Sequence, residues 1–321
     1  MSTEPAAENF FSLKLRPWGM LNVLMTMACI GTLLGYLGFV WWPFENCGCF
    51  KVQCFWFLLI GAGVYAKFKR RNSALVLAAF ALANATSFVP LYFGRDIPKL
   101  AAPEFRVMLA NVHTGNTQHQ RVLDAVRAEK PDAVVFLEID SRWAAKLQEL
   151  KDEYPHSRVD PRPDNFGIAF FSRVKPEQIR LEYIGAAGVP TVRAQYVVNG
   201  KPLTLIGTHP VPPVTGEYVH FRNEQMTEMA EMISRMTGAV VLAGDLNMTS
   251  DSPVFRALCS NANLRDSRQG FGVQGSWPLG LPTKIAIDHC LVSPHVKIHN
   301  RRLGPDVNSD HYPVIVDLSI E

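Results

Sequence analysis

The chain has 321 residues, a length that suits about two domains, and it is 48% hydrophobic with only 19% charged residues. This composition is too apolar for an ordinary soluble protein, and the excess is concentrated between Pro17 and Phe93. Residues 101–321 hold 23 of the 32 Lys+Arg and 25 of the 29 Asp+Glu residues, so their formal net charge is −2. That balance argues against the basic surface with which proteins usually grip nucleic acid.

Three apolar segments predict an all-α transmembrane region over residues 17–93, preceded by a cytoplasmic N-terminus at residues 1–16. Trp18–Trp42 has no charge and is long enough to span a bilayer. Val52–Ala66 is shorter, and Ala74–Phe93 is again of spanning length. A signal peptide is the alternative for the first segment, but the run is too long and further apolar segments follow. We therefore expect three helices in a cell membrane.

The orientation of these helices follows from the basic cluster between the second and third segments, Lys67, Lys69, Arg70 and Arg71. Short basic loops stay in the cytoplasm. The third helix should then lead outwards, and the domain that follows it should be extracytoplasmic. A linker rich in Pro and charge is predicted at residues 94–103, before a domain at residues 104–321.

Strand and helix patterns alternate beyond the linker. Short apolar or alternating runs predict strands, and apolar residues at helical spacing predict helices. In chain order the predicted elements are strand Phe105–Asn111, a helix capped by Thr117, strand Ala133–Glu138, helix Arg142–Leu150, strands Gly167–Ser172, Val192–Val198 and Leu203–Thr208, helix Tyr218–Met236, strand Val240–Ala243, a helix near Pro253–Cys259, and strands Ala286–Val292, Val296–Arg302 and Val314–Leu318. This α+β mixture suits a two-sheet β-sandwich flanked by helices.

Two polar doublets at strand ends carry the main chemical signal. Asp245 and Asn247 follow the apolar run Val240–Ala243, and Asp310 with His311 precedes the last strand. Either doublet alone is typical of a turn or loop. Together they supply the carboxylate, amide and imidazole groups that can hold a metal and activate water against a phosphate.

Further polar residues follow predicted strands in a fixed order. Asn111 lies in FRVMLANVHTGN, Glu138 in PDAVVFLEID, His209 in PLTLIGTHP and Asp288 in IAIDHCLVS. With the two doublets, this order resembles the endonuclease/exonuclease/phosphatase superfamily, which includes deoxyribonuclease I, apurinic endonucleases, sphingomyelinases and inositol-phosphate phosphatases. The resemblance covers about residues 104–320 and is to a membrane-anchored bacterial type. It implies a deoxyribonuclease I-like sandwich of two sheets flanked by helices, here preceded by the all-α transmembrane region.

The resemblance also implies a role for each site residue. Glu138 would be the principal metal ligand, with Asn111 and Asp310 close to the metal. Hard oxygen donors of this kind suit Mg²⁺ or Mn²⁺. Asp245 would be the base or the orienting carboxylate for the attacking water, and Asn247 would donate a hydrogen bond to a phosphate oxygen or to the water.

Two histidines complete the implied catalytic set. His311 would pair with Asp288, which would hold its tautomer and raise its pKa, so that an imidazolium faces the developing charge. His209 would donate a proton to the leaving group. His289 points to the other face of its strand and is interpreted as structural.

Three basic residues are weaker candidates for substrate binding: Arg193, Arg222 and Lys284. Each arginine could instead be an ordinary solvated or salt-bridged side chain. Trp277, in SWPLGLPTK, is the strong aromatic candidate for shaping the substrate site.

These observations predict a membrane-anchored, extracytoplasmic, Mg²⁺-dependent hydrolase of a phosphate ester or pyrophosphate. A lipid or polyprenyl phosphate fits the tether and the mildly acidic domain. The alternatives are a metal-dependent nuclease acting on DNA and a non-catalytic membrane scaffold, although the complete set of acids argues against the latter. The expected partners are the lipid bilayer and a phosphorylated substrate, lipid-linked rather than nucleic acid, and no protein partner is inferred.

Overall fold

The N-terminal region of the computed structural model is helical. The structure describes residues 17–321, so the predicted cytoplasmic segment 1–16 lies outside the described residues. The first four helices, α1 to α4, are Pro17–Tyr36, Trp42–Gly48, Lys51–Lys67 and Arg71–Phe88. In the described chain, α1 and α4 (with its extension to Tyr92) are long and apolar enough to cross a membrane, and α2 with α3, bent by 60°, could form a third span. These helices support membrane association.

The short helix α2 was not predicted, because its seven residues continue the end of an apolar run. Glycines allow it to fold back closely onto α1. A Cβ on Gly35 would come within 2.9 Å of Gly48 Cα, and one on Gly38 would come within 3.0 Å of Glu45 Cα. The backbone of α2 can therefore approach α1 and the turn after it this closely only because Gly35 and Gly38 have no side chains.

Residues from Phe105 onwards form two six-stranded sheets with helices outside them. The strands β1 to β12 are Phe105–Asn111, Ala133–Leu137, His156–Asp160, Ile168–Ser172, Gln178–Tyr183, Pro190–Val198, Lys201–Thr208, Ala239–Asp245, Arg265–Asp266, Asp288–Val292, Val296–Leu303 and Val314–Ile320. The helices α5 to α8 are His119–Glu129, Ser141–Leu147, Gly216–Ser234 and Pro253–Asn261. The strand orders are β11-β12-β1-β2-β4-β3 and β5-β6-β7-β8-β10-β9. The predicted sandwich is confirmed.

Alternation along the central strands explains the layers. Val107 and Leu109 of β1 point into the core between the sheets, whereas Met108 points outwards into the layer covered by α5 and α6. In β8, Val241 faces the inner core and Leu242 faces the layer below α7 and α8. Central strands buried on both faces appear in the sequence as continuous apolar runs.

Several details differ from the prediction. Helix α5 begins at His119 with Gln118 as its N-cap residue, so Thr117 is not the cap. The strands β3, β5 and the two-residue β9 were missed, and all three lie at sheet edges. Their residues are only partly buried, so no apolar run marks them in the sequence.

The segment at residues 94–103 contains no helix or strand, but it lies against the folded domain. Arg95 donates a hydrogen bond to the His299 carbonyl at 2.7 Å, and Asp96 accepts one from the Ile298 amide at 2.8 Å. Asp96 also forms an ion pair with Arg265. These contacts fix the path of the chain as it enters the first sheet.

Candidate active site

The topology of the first sheet brings four of the predicted residues to one edge. Strands β1 and β2 are parallel, with Asn111 paired with Leu137, so Asn111 and Glu138 leave the sheet side by side. Strand β12 is antiparallel to β1, and Val314 pairs with Leu109. The Asp310–His311 doublet just before β12 therefore returns to the same edge.

The second sheet contributes the other residues by the same logic. Strands β7 and β8 are parallel, which brings His209 and Asp245 to neighbouring strand ends. Asp288 is directly paired with Asp245 across the antiparallel β8–β10 ladder. Because the two sheets pack face to face, all these ends open into one cleft, whose volume is about 440 Å³.

Asp245 is the hub of this cleft and is almost completely buried. Its Oδ2 lies 3.1 Å from Asn111 Nδ2, 3.5 Å from His209 Nε2 and 3.7 Å from His311 Nε2. Its Oδ1 accepts a hydrogen bond from the backbone N–H of Asn247 at 3.0 Å. Burial opposes ionisation, but the charges of the two histidines outweigh it and hold the pKa of Asp245 below its usual value. Asp245 is therefore a carboxylate at neutral pH.

His311 is held between two carboxylates. Its Nδ1 lies 2.8 Å from Asp288 Oδ2, and both side chains are buried. Burial lowers the pKa of His311, but Asp288 and Asp245 raise it by more, and the net result lies well above the ordinary value. The pKa of Asp288 is raised as well, because it is buried and faces Asp245. The pair of His311 and Asp288 therefore keeps its shared proton, and the imidazolium form of His311 is favoured because Asp288 and Asp245 lie beside it.

His209 lies on the opposite side of Asp245. Its ring is buried and stacks at a tilt on Phe166, with 5.5 Å between centroids. Burial lowers its pKa, but the Asp245 carboxylate and the charge of Glu138 raise it overall. Its Nδ1 is buried without a hydrogen-bond partner in the described structure.

Glu138 is held in a defined orientation at the mouth of the first sheet. Its Oε1 accepts a hydrogen bond from Asn111 Nδ2 at 2.9 Å, and its Oε2 accepts one from the Thr114 amide at 3.2 Å. Its backbone has φ of +62°, a left-handed conformation that costs free energy for a residue with a Cβ. Strain of this kind at a site residue is typical of functional positions.

Asp310 faces Glu138 across His113. The Nδ1 of His113 lies 3.6 Å from Glu138 Oε2 and 3.6 Å from Asp310 Oδ1. Asp310 Oδ2 accepts a hydrogen bond from Trp277 Nε1 at 3.0 Å, while Oδ1 is buried and has no hydrogen-bond partner among residues 17–321. A carboxylate oxygen without a hydrogen-bond partner, close to the second carboxylate of Glu138, fits a hard divalent cation.

A second group could also hold a metal ion. Ligand atoms of Asp245, Asp288 and His311 lie within 4.8 Å of one another. However, the hydrogen bond between His311 Nδ1 and Asp288 Oδ2 already uses one possible ligand atom of each of these residues. Glu138, Asn111 and Asp310 therefore fit the expected cation better.

Asn247 lines the cleft as expected, with φ of +51°, which asparagine tolerates better than most residues. Its Nδ2 donates one hydrogen bond to the Pro210 carbonyl at 2.9 Å. A side-chain amide has two such hydrogens, so one remains for a ligand in the cleft.

The three basic candidates do not line the cleft, and their assignment to substrate binding is corrected. Arg193 forms an ion pair with Glu182 on the neighbouring edge strand. Arg222 is completely buried and pairs with Glu45 at 2.8 Å. The Lys284 ammonium lies 4.9 Å from the centre of the Tyr312 ring.

Sequence reasoning missed two contributions to the site. His113 follows Asn111 by two residues, which is the only sequence signal for its place near the acids. A buried network behind Asp288 had no signal: Arg301 donates to the Asp288 carbonyl at 3.3 Å. His289 is buried and its Nε2 contacts the Met248 carbonyl at 2.8 Å, consistent with the structural role predicted for it.

Three solved structures with the same fold have 15–20% identity to this chain. The human nocturnin catalytic domain with bound sulfate has 18% identity and a TM-score of 0.57, covering 72% of this chain and all of that one. An endonuclease/exonuclease/phosphatase from Bacteroides vulgatus has 20% identity and a TM-score of 0.57, covering 68% of this chain and 99% of that one. D. rerio TDP2 complexed with single-strand DNA product has 15% identity and a TM-score of 0.55, covering 67% and 98%. No curated protein matches the chain significantly.

The fold and the site define a metal-dependent hydrolase acting on phosphoester bonds. A family model matches residues 108–311, more than half of the chain. The chain belongs to the Endonuclease/Exonuclease/phosphatase family.

Proposed function

We propose that the protein is a membrane-anchored, extracytoplasmic, Mg²⁺-dependent phosphoesterase whose substrate is a lipid-linked phosphate ester or pyrophosphate. The observation that carries the choice of substrate is the lining of the cleft. Among the residues described by the structure, no Lys or Arg lines it. A nuclease that tracks a strand through several phosphates needs such residues, whereas one headgroup does not.

The proposed reaction uses three buried groups around one phosphate. Asp245 accepts a hydrogen bond from the attacking water, orients it and takes up its proton as the new P–O bond forms. The His311 imidazolium, held by Asp288, donates to a phosphate oxygen on which charge increases during attack. His209, whose pKa is raised, provides a proton to the leaving oxygen.

The metal would be held by Glu138, Asn111 and Asp310, and when bound it would withdraw charge from a phosphate oxygen. Asn247 lines the cleft, and its Nδ2 has a second hydrogen besides the one donated to the Pro210 carbonyl. This amide would then help to fix the phosphate relative to the water.

The arrangement of the helices supports an extracytoplasmic domain. The start of α3 contacts the domain through Lys51 and Asp251. The basic turn Lys67–Arg71 lies at the other end of α3, about 25 Å away for a helix of this length. If this turn is cytoplasmic, as the bias of basic residues favours, the domain lies on the opposite side of the membrane.

The runner-up function is a metal-dependent nuclease acting on DNA. It is favoured by the likeness to D. rerio TDP2, which is described in complex with a single-strand DNA product. The acidic balance of residues 101–321 and the cleft without basic residues both disfavour it.

The test is hydrolysis by the full-length protein in detergent with Mg²⁺. Polyprenyl and diacylglycerol phosphates in mixed micelles are compared with plasmid and single-stranded DNA, and Asp245→Asn is the inactive control. We expect hydrolysis of a lipid phosphate that changes little with added salt. Faster cleavage of DNA, which falls about tenfold or more as salt rises, would establish the nuclease instead.

A further inference from the structure

The membrane region contributes part of the wall of the active-site cleft. The bend between α2 and α3, residues 46–51, is called the elbow. Asn46, Cys49 and Phe50 of the elbow line the same cleft as Asp245 and His311. The catalytic groups therefore lie in a cleft that the folded domain does not complete by itself.

Buried ion pairs hold the elbow in place. Glu45 pairs with Arg222 at 2.8 Å, and both side chains are shielded from water. Lys51 pairs with Asp251 at 2.7 Å and is also buried. Because a buried charge that loses its partner is strongly destabilising, these pairs define one position of the elbow relative to the cleft.

The far end of the membrane region is attached as well. Gln269 Nε2 donates to the Pro90 carbonyl at 3.0 Å, and the amides of Gly270 and Gly272 donate to the Leu91 carbonyl at 2.8 and 3.0 Å. Contacts at both ends prevent the helices from swinging away from the domain.

The lining of the cleft combines polar and apolar side chains. The polar ones are the catalytic acids and histidines with Asn46, Asn165 and Asn247. Phe50 of the elbow, Phe166 and the run Pro212–Val214 are among the apolar ones. Phe50 and Val214 are 43% and 64% exposed, and exposed apolar side chains that adjoin a polar site favour an amphiphilic ligand.

We propose that the elbow selects the substrate, with Phe50 contacting an apolar chain whose phosphate lies at Asp245 and His311. The chain would run along Phe50 and Pro212–Val214 towards the membrane helices. This inference rests on the proposed phosphoesterase function and adds the element that recognises the non-reacting part of the substrate.

The experiment compares two 4-nitrophenyl phosphodiesters that differ only in a methyl or a dodecyl chain. The full-length protein is assayed in one detergent at one micelle concentration with Mg²⁺. The measured quantity is kcat/KM on the dodecyl ester divided by that on the methyl ester. Partition of the long ester into micelles is the same for every variant, so a difference between variants reports the protein.

We expect Phe50→Ala to lower this ratio by about tenfold, the effect of removing roughly half of an aromatic contact surface. Phe57→Ala is the matched control, since Phe57 lies on α3, is 41% exposed and is not part of the cleft lining. It should keep the wild-type ratio. Asp251→Asn, which weakens the hold on Lys51, should shift the ratio in the same direction as Phe50→Ala.

The proposed function and the role of the elbow are tested separately. If the wild-type protein hydrolyses neither ester and none of the lipid phosphates of the preceding assay, the proposed function is overturned. If it hydrolyses both, and Phe50→Ala and Asp251→Asn keep the wild-type ratio, the proposed function stands and the elbow has no part in selection. Thermal midpoints in detergent identify a variant that has merely unfolded, and Phe50→Leu then replaces Phe50→Ala.

Discussion

The imidazole of His311 bridges two carboxylates from paired strands: Nδ1 lies 2.8 Å from Asp288 Oδ2, and Nε2 lies 3.7 Å from Asp245 Oδ2. The two acids are directly opposite each other in the β8–β10 ladder. The backbone register of a buried sheet therefore sets the spacing of the catalytic groups. A slip of one residue would turn every side chain of the strand to its other face.

The first prediction concerns the bond that orients His311. Asp288→Asn keeps the size of the side chain but removes the charge that favours imidazolium and allows the wrong tautomer. We expect kcat to fall by about 10²- to 10⁴-fold, as in comparable acid–histidine pairs. The check is steady-state kinetics on a soluble phosphoester.

The matched control is Asp317→Asn, because Asp317 is also a buried strand acid, paired with Arg106. It should lower the thermal midpoint and leave kcat unchanged. An equal loss of kcat in both variants would mean that the effect of Asp288→Asn comes from general destabilisation.

The second prediction concerns the metal. Glu138→Gln should lower turnover by at least about 10²-fold and raise the Mg²⁺ concentration needed for half-maximal rate, because a charged ligand is lost. Its thermal midpoint should change little, since removing one of several neighbouring carboxylates also relieves repulsion. EDTA should abolish the wild-type activity.

Glu129→Gln serves as the control, because Glu129 pairs with Arg302 away from the cleft. It should keep the wild-type Mg²⁺ dependence. Full turnover by Glu138→Gln in the presence of EDTA would contradict the metal assignment and the mechanism together.

The third prediction concerns stability at acid pH. Burial and the charge of Arg268 lower the pKa of His289 from 6.5 to about 4. As pH falls from 6.5 to 4, the unfolded chain protonates this histidine but the folded protein does not. The neutral His289 therefore contributes stability that is fully present above pH 6.5 and is lost as the pH falls towards 4. This group lowers the free energy of unfolding by at most about 1.4 kcal/mol per pH unit.

The measurement is the thermal midpoint across that pH range for the wild type and His289→Gln. The variant should be less stable at neutral pH and should lose less stability on acidification. Acids with depressed pKa values add a slope of the same sign in both proteins, so the difference isolates His289. Parallel curves would show that His289 is not kept neutral.

The fourth prediction concerns topology. A reporter fused after Glu321 should be active as a periplasmic phosphatase and dark as a cytoplasmic fluorescent protein. The same reporters fused after Arg71 should give the opposite pattern, because the basic turn is expected in the cytoplasm. Fluorescence of the reporter fused after Glu321 would place the cleft in the cytoplasm. Soluble nucleotides and DNA would then be the candidate substrates.

Most of the central architecture could be predicted because the strands that carry the site are buried on both faces. Such strands give apolar runs, and a polar residue at the end of a run, as in Glu138 or Asp245, then stands out. The edge strands β3 and β5 give no such contrast. Their partial burial is a property of their place in the sheet, which composition does not reveal.

Long-range pairs could not be predicted for a different reason. Arg222 was a candidate for phosphate binding, but its partner is Glu45, 177 residues earlier in the chain. Nothing local to either residue indicates the other. The contact exists only because α2 folds back on α1 through Gly35 and Gly38 and presents Glu45 to the domain.

The attachment of the domain at both ends of the membrane region has a kinetic consequence. If the substrate is membrane-borne, as proposed, catalytic groups held at one height above a bilayer meet it by diffusion in two dimensions. The rate would then follow the mole fraction of substrate among the surrounding lipids, and dilution of the whole suspension would leave it unchanged. An inert lipid added to the same bilayer would slow the enzyme, although it neither binds the cleft nor alters the protein.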